Sequence, residues 1–358
     1  MRAGIVTFHK ADNYGAVLQA YALQKTLATL GVDSDFLEFQ EPDRKAAPFD
    51  GAVRKGPPAF VARLCEAGKA RTALFDAFRT RYMRCSPPLP AEQAGELNDW
   101  FDVFLAGSDQ VWNLRLLEAD ERYFLPFAAP DKRISYAASF GMDEIPDQLK
   151  GWYAEQLAGF RAISVREERG RELVRELTGR DCAVCLDPVL LLDRADWQTL
   201  TTPCGETPYL FLYMVGYDSE LAARARQEAE ERGLELRTAM ASFIPQYGLG
   251  AWSGVGVEQW LSMICGCSGV FTNSFHCTAF AMLFGRPVTT VMLKDSLAHR
   301  NGRLEELLRL GGAEHQGKPA VISAEDFALR IQERRQESLD YLRKSLGQGG
   351  ICQPFPER

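Results

Sequence analysis

The chain has 358 residues, a length that favours two domains over a single core. Hydrophobic residues make up 46% of it and charged residues 25%, which is a globular composition and excludes a disordered chain. Because 41 Lys and Arg face 48 Asp and Glu, the net charge is −7, and binding to nucleic acid or to an anionic membrane is not expected. The sequence has neither an apolar run of about 18 residues nor a signal-peptide pattern, so we expect a cytoplasmic protein without a membrane span.

The first half of the chain alternates short apolar runs with helical patterns. A strand at 3–8, a helix at 17–30 that ends at Gly31, and a strand at 33–39 form a βαβ unit. Further strands are predicted at 102–107, 133–139, 162–167 and 183–187, and further helices at 63–84, 146–160 and 168–178. This alternation predicts an α/β fold with a mostly parallel, doubly wound sheet.

A linker is predicted at 199–209, where two prolines, a glycine and four threonines show no periodicity. The pattern then restarts, with strands at 209–216, 234–240, 269–273 and 287–293 and helices at 218–232, 257–265 and 274–285. We therefore predict two α/β domains, 1–203 and 204–323, followed by a helix and tail, 324–358. The polar tail helix is expected to pack on either domain. The segment 44–60 is low in strong structure formers and predicts a mobile loop.

The nine cysteines are scattered, which favours reduced thiols over a disulfide scaffold. Cys182 and Cys185 form a CxxC pair, the spacing of some zinc and redox sites. On a strand, however, residues three apart face opposite sides, so we interpret both cysteines as structural. The sequence has no GxGxxG after a strand, no P-loop, no HExxH and no GxSxG. No metal and no cofactor is therefore expected.

Three loops follow predicted strands, at the sheet edge where open α/β folds bind ligands. In the first, Asn13, Tyr14 and Gly15 lead into a helix, whose free N–H groups suit an anion or a hydroxyl-rich ligand. The alternative is that Asn13 only caps the helix and Gly15 only forms a tight turn.

The second loop, 107–113, places several polar and aromatic residues directly after an apolar strand. Asp109 and Gln110 offer acceptors and donors that suit sugar hydroxyls, and Trp112 suits stacking on a sugar ring. The alternative interpretation is a capping turn with a tryptophan in the core.

The third loop carries the strongest signal. A buried strand ends at Asn273, Ser274 is a good N-cap, and His276 then lies in the first turn of the next helix. An imidazole there is placed to bind a phosphate oxygen or to exchange a proton. The alternative is a histidine with a structural role only.

Basic residues occur near the same predicted edge. Arg166 and Lys294 close two strands, and Arg300 and Arg303 begin a late helix. Arg suits bidentate contacts with carboxylate or phosphate, and Lys suits a point contact. For each of them the alternative is a solvated surface charge.

Six sequence blocks, taken in order, resemble the polysaccharide pyruvyl transferase family. They are GIVTFHKADNYGAVLQAYAL, DVFLAGSDQVWN, ISYAASFG, ISVREERG, DPVLLL and GVFTNSFHCTAFAMLFGRPV, and the resemblance runs from residue 2 to about residue 310. It implies a GT-B-like architecture of two Rossmann-like domains with a ligand cleft between them. It also implies transfer of the pyruvyl group of phosphoenolpyruvate to two hydroxyls of a saccharide or lipid-linked saccharide, in the synthesis of a cell-surface polymer.

The resemblance also implies roles for individual residues. His276 matches the histidine of the phosphoenolpyruvate site and is the expected catalytic group. The phosphoenolpyruvate site is expected in the C-terminal domain and the acceptor site in the N-terminal domain. Expected phosphoenolpyruvate contacts are Arg166, Ser274, Phe275, Lys294 and Arg303, and expected acceptor contacts are Asn13, Tyr14, Asp109 and Gln110.

Two positions depart from the family pattern, which more often has Asp at Asn273 and Gly at Cys277. The cysteine adds bulk beside His276, so a changed pocket or substrate is one expectation. Two other functions remain open on the same fold. One is a nucleotide-sugar glycosyltransferase, and the other is a saccharide-binding protein without catalysis.

Overall fold

A computed structural model describes six stretches of the chain. They are residues 1–40, 58–114, 120–240, 254–294, 301–312 and 319–348, without the side chains of 58–67 and of Met240. Most of the loop predicted at 44–60, and the predicted helix start at Arg300, lie outside these residues. Within them, no helix is both long enough and apolar enough to cross a membrane.

The first half of the chain builds a parallel sheet. Its strands are β1 (Arg2–Val6), β2 (Asp33–Phe36), β3 (Val103–Ala106) and β4 (Arg133–Ser135), in the spatial order β2-β1-β3-β4. Parallel bridges continue it to Cys85 and Leu89 on one side, and to the pair β5 (Ser164–Val165) and β6 (Ala183–Val184) on the other. The strand order therefore reverses between β1 and β3.

The second half builds a five-stranded sheet. Its strands are β7 (Tyr209–Met214), β8 (Glu235–Met240), β9 (Val270–Thr272), β10 (Val288–Thr290) and β11 (Pro319–Ala320), in the order β11-β10-β9-β7-β8. Only β11 is antiparallel to its neighbour. Here the order reverses between β7 and β9. Two open α/β sheets, one in each half of the chain, confirm the predicted fold class. The domain boundary at residue 203 stays a prediction.

The helices follow the predicted pattern with small shifts at their ends. They are α1 (Tyr14–Thr29), α2 (Pro58–Tyr82), α3 (Leu97–Trp100), α4 (Asp147–Ala158), α5 (Glu168–Thr178), α6 (Arg194–Gln198), α7 (Ser219–Glu231), α8 (Val257–Gly266), α9 (Phe275–Leu283), α10 (Asn301–Leu310) and α11 (Ala324–Ser345). Short 3₁₀ helices occupy Ala91–Glu96, Glu121–Phe124, Pro130–Lys132 and Pro188–Leu190.

Helix α1 begins three residues earlier than its apolar pattern predicts. The Asn13 side chain accepts a hydrogen bond from the Ala16 N–H at 3.2 Å, which satisfies one of the free donors of the first turn. After the helix Gly31 adopts φ +72°, a left-handed conformation that favours glycine at this end.

Aromatic packing and the last helix join the two halves. Tyr14 of α1 stacks on Trp260 of α8 with ring centroids 5.0 Å apart, and its hydroxyl donates to the Val255 carbonyl at 2.8 Å. Helix α11 starts beside α9 and ends on the first half, where Tyr341 donates to the Ser135 carbonyl at 2.9 Å. The tail helix thus contacts both halves.

Two sequence interpretations are decided by burial. Trp112 is fully buried and stacks on Phe124 at 5.7 Å, so the core alternative holds and it cannot stack on a sugar. Cys185 belongs to the core cluster that contains α1, whereas Cys182 packs against the cluster that contains Trp112. The two sulfurs therefore diverge, as the three-residue spacing on a strand predicts.

Candidate functional site

The candidate site lies where the strand orders of both sheets reverse. The loops after β1 and β3 carry Asn13 and Asp109, and those after β7 and β9 carry Val215 and Asn273. Ligands of open α/β sheets bind at this kind of switch point. Here the two switch points face one cavity of about 190 Å³. Its polar lining comes from Asn13, Asp109, Gln110, Asn273, Ser274, His276 and Arg303.

His276 is held from two sides at the start of α9. The Ser274 hydroxyl caps the helix by accepting from the Cys277 N–H at 3.4 Å. On one side the imidazole packs so tightly on Gly15 that a Cβ there would lie 2.1 Å from Nδ1. On the other side Nε2 lies 3.4 Å from Asp187 Oδ2. Gly15 is thus required to leave room for the ring, a reason that the sequence did not reveal.

Asp187 is a site residue that the sequence reading missed. Its side chain is 0% exposed, its Oδ2 lies 2.5 Å from Arg166 Nη1, and its Oδ1 accepts from the Val189 N–H at 3.0 Å. Burial alone would raise its pKa, but His276 and Arg166 outweigh burial and hold the pKa well below its usual range. Asp187 follows β6, just as the predicted site residues in the three loops follow other strands, so its position in the sequence could have indicated it.

A second carboxylate completes a buried charge network. Asp109 Oδ1 lies 3.2 Å from Arg166 Nη2 and 3.7 Å from Arg303 Nη1, and it accepts from the Gln110 N–H at 2.9 Å. Burial raises the pKa of Asp109, but Arg166, His276 and Arg303 together lower it below its usual value. Both carboxylates are therefore ionised at neutral pH, and each is matched by an arginine.

The two arginines occupy different positions relative to the cavity. The Arg166 side chain is only 2% exposed and bridges the two carboxylates behind the cavity wall. Arg303 lines the cavity itself. Both guanidinium groups lie over the Phe275 ring, at 5.3 Å and 6.0 Å from its centroid. Both guanidinium groups are therefore within cation–π distance of this ring.

Besides Arg166, which lies behind the cavity wall, two predicted contacts are not brought to the cavity. Tyr14 faces the core side of α1, is fully buried, and also receives a hydrogen bond from Arg71 at 3.1 Å. Lys294 is 61% exposed and pairs with Asp218 at 3.0 Å and Glu220 at 3.4 Å. A position near a strand end does not fix the direction of a side chain, which is why these two differ from their neighbours.

Of the two departures from the family pattern, Asn273 lines the cavity and Cys277 does not. The Asn273 amide joins the ends of β7 and β9, because Oδ1 accepts from the Val215 N–H at 2.8 Å and Nδ2 donates to the Gly216 carbonyl at 2.7 Å. An ionised Asp could not make the second bond. Cys277 is fully buried in the core and lines none of the cavities described, so the expected bulk beside His276 falls on the core side of α9.

Solved structures with a similar course of chain have low sequence identity to this protein. The S. aureus MnaA–UDP co-structure is 10% identical, with 98% of this chain and 97% of that chain covered and a TM-score of 0.50. UDP-GlcNAc 2-epimerase from Neisseria meningitidis bound to UDP-GlcNAc is 9% identical, with 98% and 100% covered and a TM-score of 0.49. Arabidopsis thaliana UGT89C1 with quercetin is 12% identical, with 96% and 94% covered and a TM-score of 0.41.

The predicted architecture of two Rossmann-like domains in a GT-B-like arrangement is confirmed. No curated protein matches the chain. The family model described as polysaccharide pyruvyl transferase matches residues 13–294, which contain every predicted site residue except Arg303. Because this match spans well over half of the 358 residues, the chain belongs to the polysaccharide pyruvyl transferase family.

Proposed function

We propose that this protein transfers the pyruvyl group of phosphoenolpyruvate to two hydroxyls of a saccharide during synthesis of a cell-surface polysaccharide. Membership of the pyruvyl transferase family supports the reaction class. The observation that carries the proposal is one cavity that holds a proton-exchanging group, His276, and a cation, Arg303, beside the hydrogen-bonding groups of Asn13 and Gln110.

The proposed reaction balances without an oxidant or reductant. A general acid protonates the methylene carbon of phosphoenolpyruvate, which leaves a cation at the carbon that bears phosphate. One hydroxyl oxygen attacks that carbon and gives its proton to a base. The C–O bond to phosphate then breaks, and the second hydroxyl closes the ketal as it loses its proton. Of the two hydroxyl protons, one replaces the proton donated by the acid and the other leaves with phosphate.

His276 is the proposed acid–base group. Its ring lines the cavity and lies between Gly15 and the ionised Asp187, whose Oδ2 is 3.4 Å from Nε2. General acid–base catalysis by one positioned side chain typically raises the rate roughly 10²–10⁴-fold. Asp187 is a positioning residue in this scheme, because it is fully buried and lines none of the cavity.

Positive charge at the cavity is the proposed means of holding the donor. Arg303 contacts phosphate or carboxylate directly, and Ser274 and Phe275 shape the same wall. Arg166 acts from behind Phe275 by holding Asp109 and Asp187 in place. Lys294 takes part only if it leaves Asp218, and Tyr14 only supports α1 from the core.

The acceptor is proposed to enter on the side of the first half. Asn13, Asp109 and Gln110 line that part of the cavity and offer amide and carboxylate groups. Such groups match the paired donor and acceptor character of vicinal sugar hydroxyls.

A nucleotide-sugar glycosyltransferase is the second candidate. Structures of similar fold have been solved with UDP, which suits this alternative. The cavity of about 190 Å³ favours the smaller donor, because sites for larger ligands usually occupy about 300–1,000 Å³.

Calorimetry separates the two candidates. We expect phosphoenolpyruvate to bind more tightly than UDP, with an affinity that falls as salt is raised, since charge pairing is screened by ions. Arg303→Gln should weaken binding roughly tenfold to a hundredfold, the usual range for a hydrogen bond to a charged group. Arg309→Gln is the matched control, an exposed arginine on the same helix, and should bind as the wild type does. Tighter binding of UDP would favour the glycosyltransferase.

A further inference from the structure

Three potential metal ligands converge beside the candidate site. His9 Nε2 or Nδ1, a Glu38 carboxylate oxygen and Cys85 Sγ all lie within 4.8 Å of one another. His9 follows β1, Glu38 follows β2, and Cys85 forms a parallel bridge with Phe36 of β2. Neighbouring strand ends therefore bring the three side chains together, although 76 positions of sequence separate the first from the last.

His9 presents an unused lone pair to this cluster. Its Nδ1 lies 3.1 Å from the Thr7 carbonyl oxygen, which can only accept, so Nδ1 carries the proton in that contact. Nε2 is buried and has no hydrogen-bond partner among the residues that the structure describes, and the residue as a whole is 5% exposed. Stacking on Phe36, with centroids 4.9 Å apart and planes at 20°, keeps the ring in this orientation. A ring fixed through one nitrogen with the other left open is typical of metal-binding histidine.

The two chain segments that carry Glu38 and Cys85 are joined by hydrogen bonds. The Glu38 N–H donates to Ser86 Oγ at 3.0 Å, and the Ser86 N–H donates to the Phe36 carbonyl at 2.8 Å. The two carboxylate oxygens of Glu38 have different neighbours. Oε1 lies 3.9 Å from His9 Nε2, and Oε2 pairs with Lys10 Nζ at 3.1 Å. One oxygen therefore remains for a metal while the other stays on the lysine.

We propose that His9 Nε2, Glu38 Oε1 and Cys85 Sγ bind a divalent transition metal, with Zn²⁺ as the best match. Nitrogen, oxygen and sulfur ligands together suit zinc, and a thiolate with a carboxylate balances its two positive charges. Zinc bonds of about 2.0–2.3 Å at tetrahedral angles place ligand atoms roughly 3.4–3.7 Å apart. Shifts of about 1 Å in the side chains close the site.

The fourth position of the tetrahedron is left for water or another ligand. His9 also lines a second cavity, of about 180 Å³, together with Lys10, Arg122 and Tyr123. Phe8 lines both this cavity and the cavity of the candidate functional site. The metal would thus lie at the edge of the proposed acceptor side. The proposal rests on these three ligands and is independent of the pyruvyl transfer reaction.

Neither the CxxC pair nor the short metal-binding motifs sought in the sequence indicate this site. The three residues here are distant in sequence and follow no motif spacing, so only the folded chain brings them together. This site is also separate from Cys182 and Cys185, whose sulfurs lie in different hydrophobic clusters.

Metal titration of the full-length protein tests the proposal. After dialysis against a chelator, the protein is titrated with Co²⁺ as a spectroscopic probe and with Zn²⁺ in competition with a chromophoric chelator. We expect one equivalent of each to bind, with a thiolate-to-cobalt charge-transfer band and the intense visible bands of tetrahedral cobalt. Cys85→Ser should abolish the charge-transfer band. Glu38→Gln, a change at a partly exposed residue, should weaken Zn²⁺ binding roughly tenfold or more while the band remains.

Cys182→Ser is the matched control and should leave both the band and the affinity unchanged. Circular dichroism of the metal-free variants checks that each is folded. Absence of a stoichiometric equivalent in the folded wild type would overturn the proposal. It would also be overturned by a charge-transfer band that persists in Cys85→Ser or disappears in Cys182→Ser. Neither result would bear on phosphoenolpyruvate binding, which is measured separately.

Discussion

His276→Ala is expected to lower turnover by roughly 10²-fold or more, because it removes the proposed acid–base group. The fold should survive the change. Asp187 keeps its contact with Arg166 at 2.5 Å, so the substitution leaves no buried carboxylate without a partner. Rates of phosphoenolpyruvate-dependent phosphate release, with kcat and KM determined separately, measure the effect, and thermal denaturation checks the fold.

Two further variants separate the possible roles of His276. His276→Gln can donate a hydrogen bond but cannot titrate, so it should lower kcat if His276 exchanges a proton. A loss of phosphate binding alone would instead raise KM and spare kcat. Gly15→Ala keeps the imidazole but forces it to move, because the new Cβ would lie 2.1 Å from Nδ1. If His276→Ala retained near-normal turnover, another group would have to supply the proton. Lys294 would first have to leave Asp218, and the ionised Asp109 could act only as a base. Absence of turnover in the folded wild type, with saccharide binding retained, would favour the saccharide-binding protein without catalysis.

Asp187→Asn is expected to lower the free energy of unfolding by about 3–5 kcal/mol at neutral pH, the usual cost of breaking a buried ion pair from one side. The change preserves shape but removes the closer of the two carboxylates that pair with the buried Arg166 in the described residues, so that Asp109 remains at 3.2 Å. Urea denaturation measures the loss. The matched control is Asp181→Asn, which breaks an exposed pair with Arg171 at 2.7 Å and should cost about 1 kcal/mol or less.

The same variant has a defined acid dependence. Because the pKa of Asp187 is lowered in the folded state, its stabilising contribution is fully present above the unfolded pKa of about 3.9. That contribution is lost as pH falls through the lower, folded pKa. Asp187→Asn should therefore be less sensitive to acid than the wild type below about pH 4. Equal losses in Asp187→Asn and Asp181→Asn at neutral pH would contradict a stabilising role for the buried network.

The sequence predicts the fold well because the fold repeats a local pattern. Strands and helices alternate with clear apolar periods, and α5, for example, spans the predicted residues 168–178. The helix ends are less accurate where a polar cap, such as Asn13 before α1, adds a turn that has no apolar residue to mark it. Strands β5 and β6 lie within the predicted strands 162–167 and 183–187 but are shorter. The antiparallel β11 is not predicted, because its two residues are too few to show a period.

The candidate site is predicted in part. Loops at strand ends indicated Asp109 and His276, since the carboxyl ends of parallel strands meet at one edge, and the start of a late helix indicated Arg303. The sequence could not reveal that Asp187 meets His276, because that contact joins residues from different sheets. It also could not give the direction of Lys294, which is set by the neighbouring acid Asp218.

Incubation with phosphoenolpyruvate labelled at its methylene carbon tests pyruvyl transfer most directly. The acceptor is the saccharide and lipid-linked saccharide fraction of cells that produce the protein. The account predicts release of one phosphate for each labelled methyl group that appears in a saccharide ketal, detected by NMR. It also predicts loss of both products in His276→Ala. Label that stays in phosphoenolpyruvate, while a nucleotide sugar is consumed by the same protein and fraction, would contradict the account.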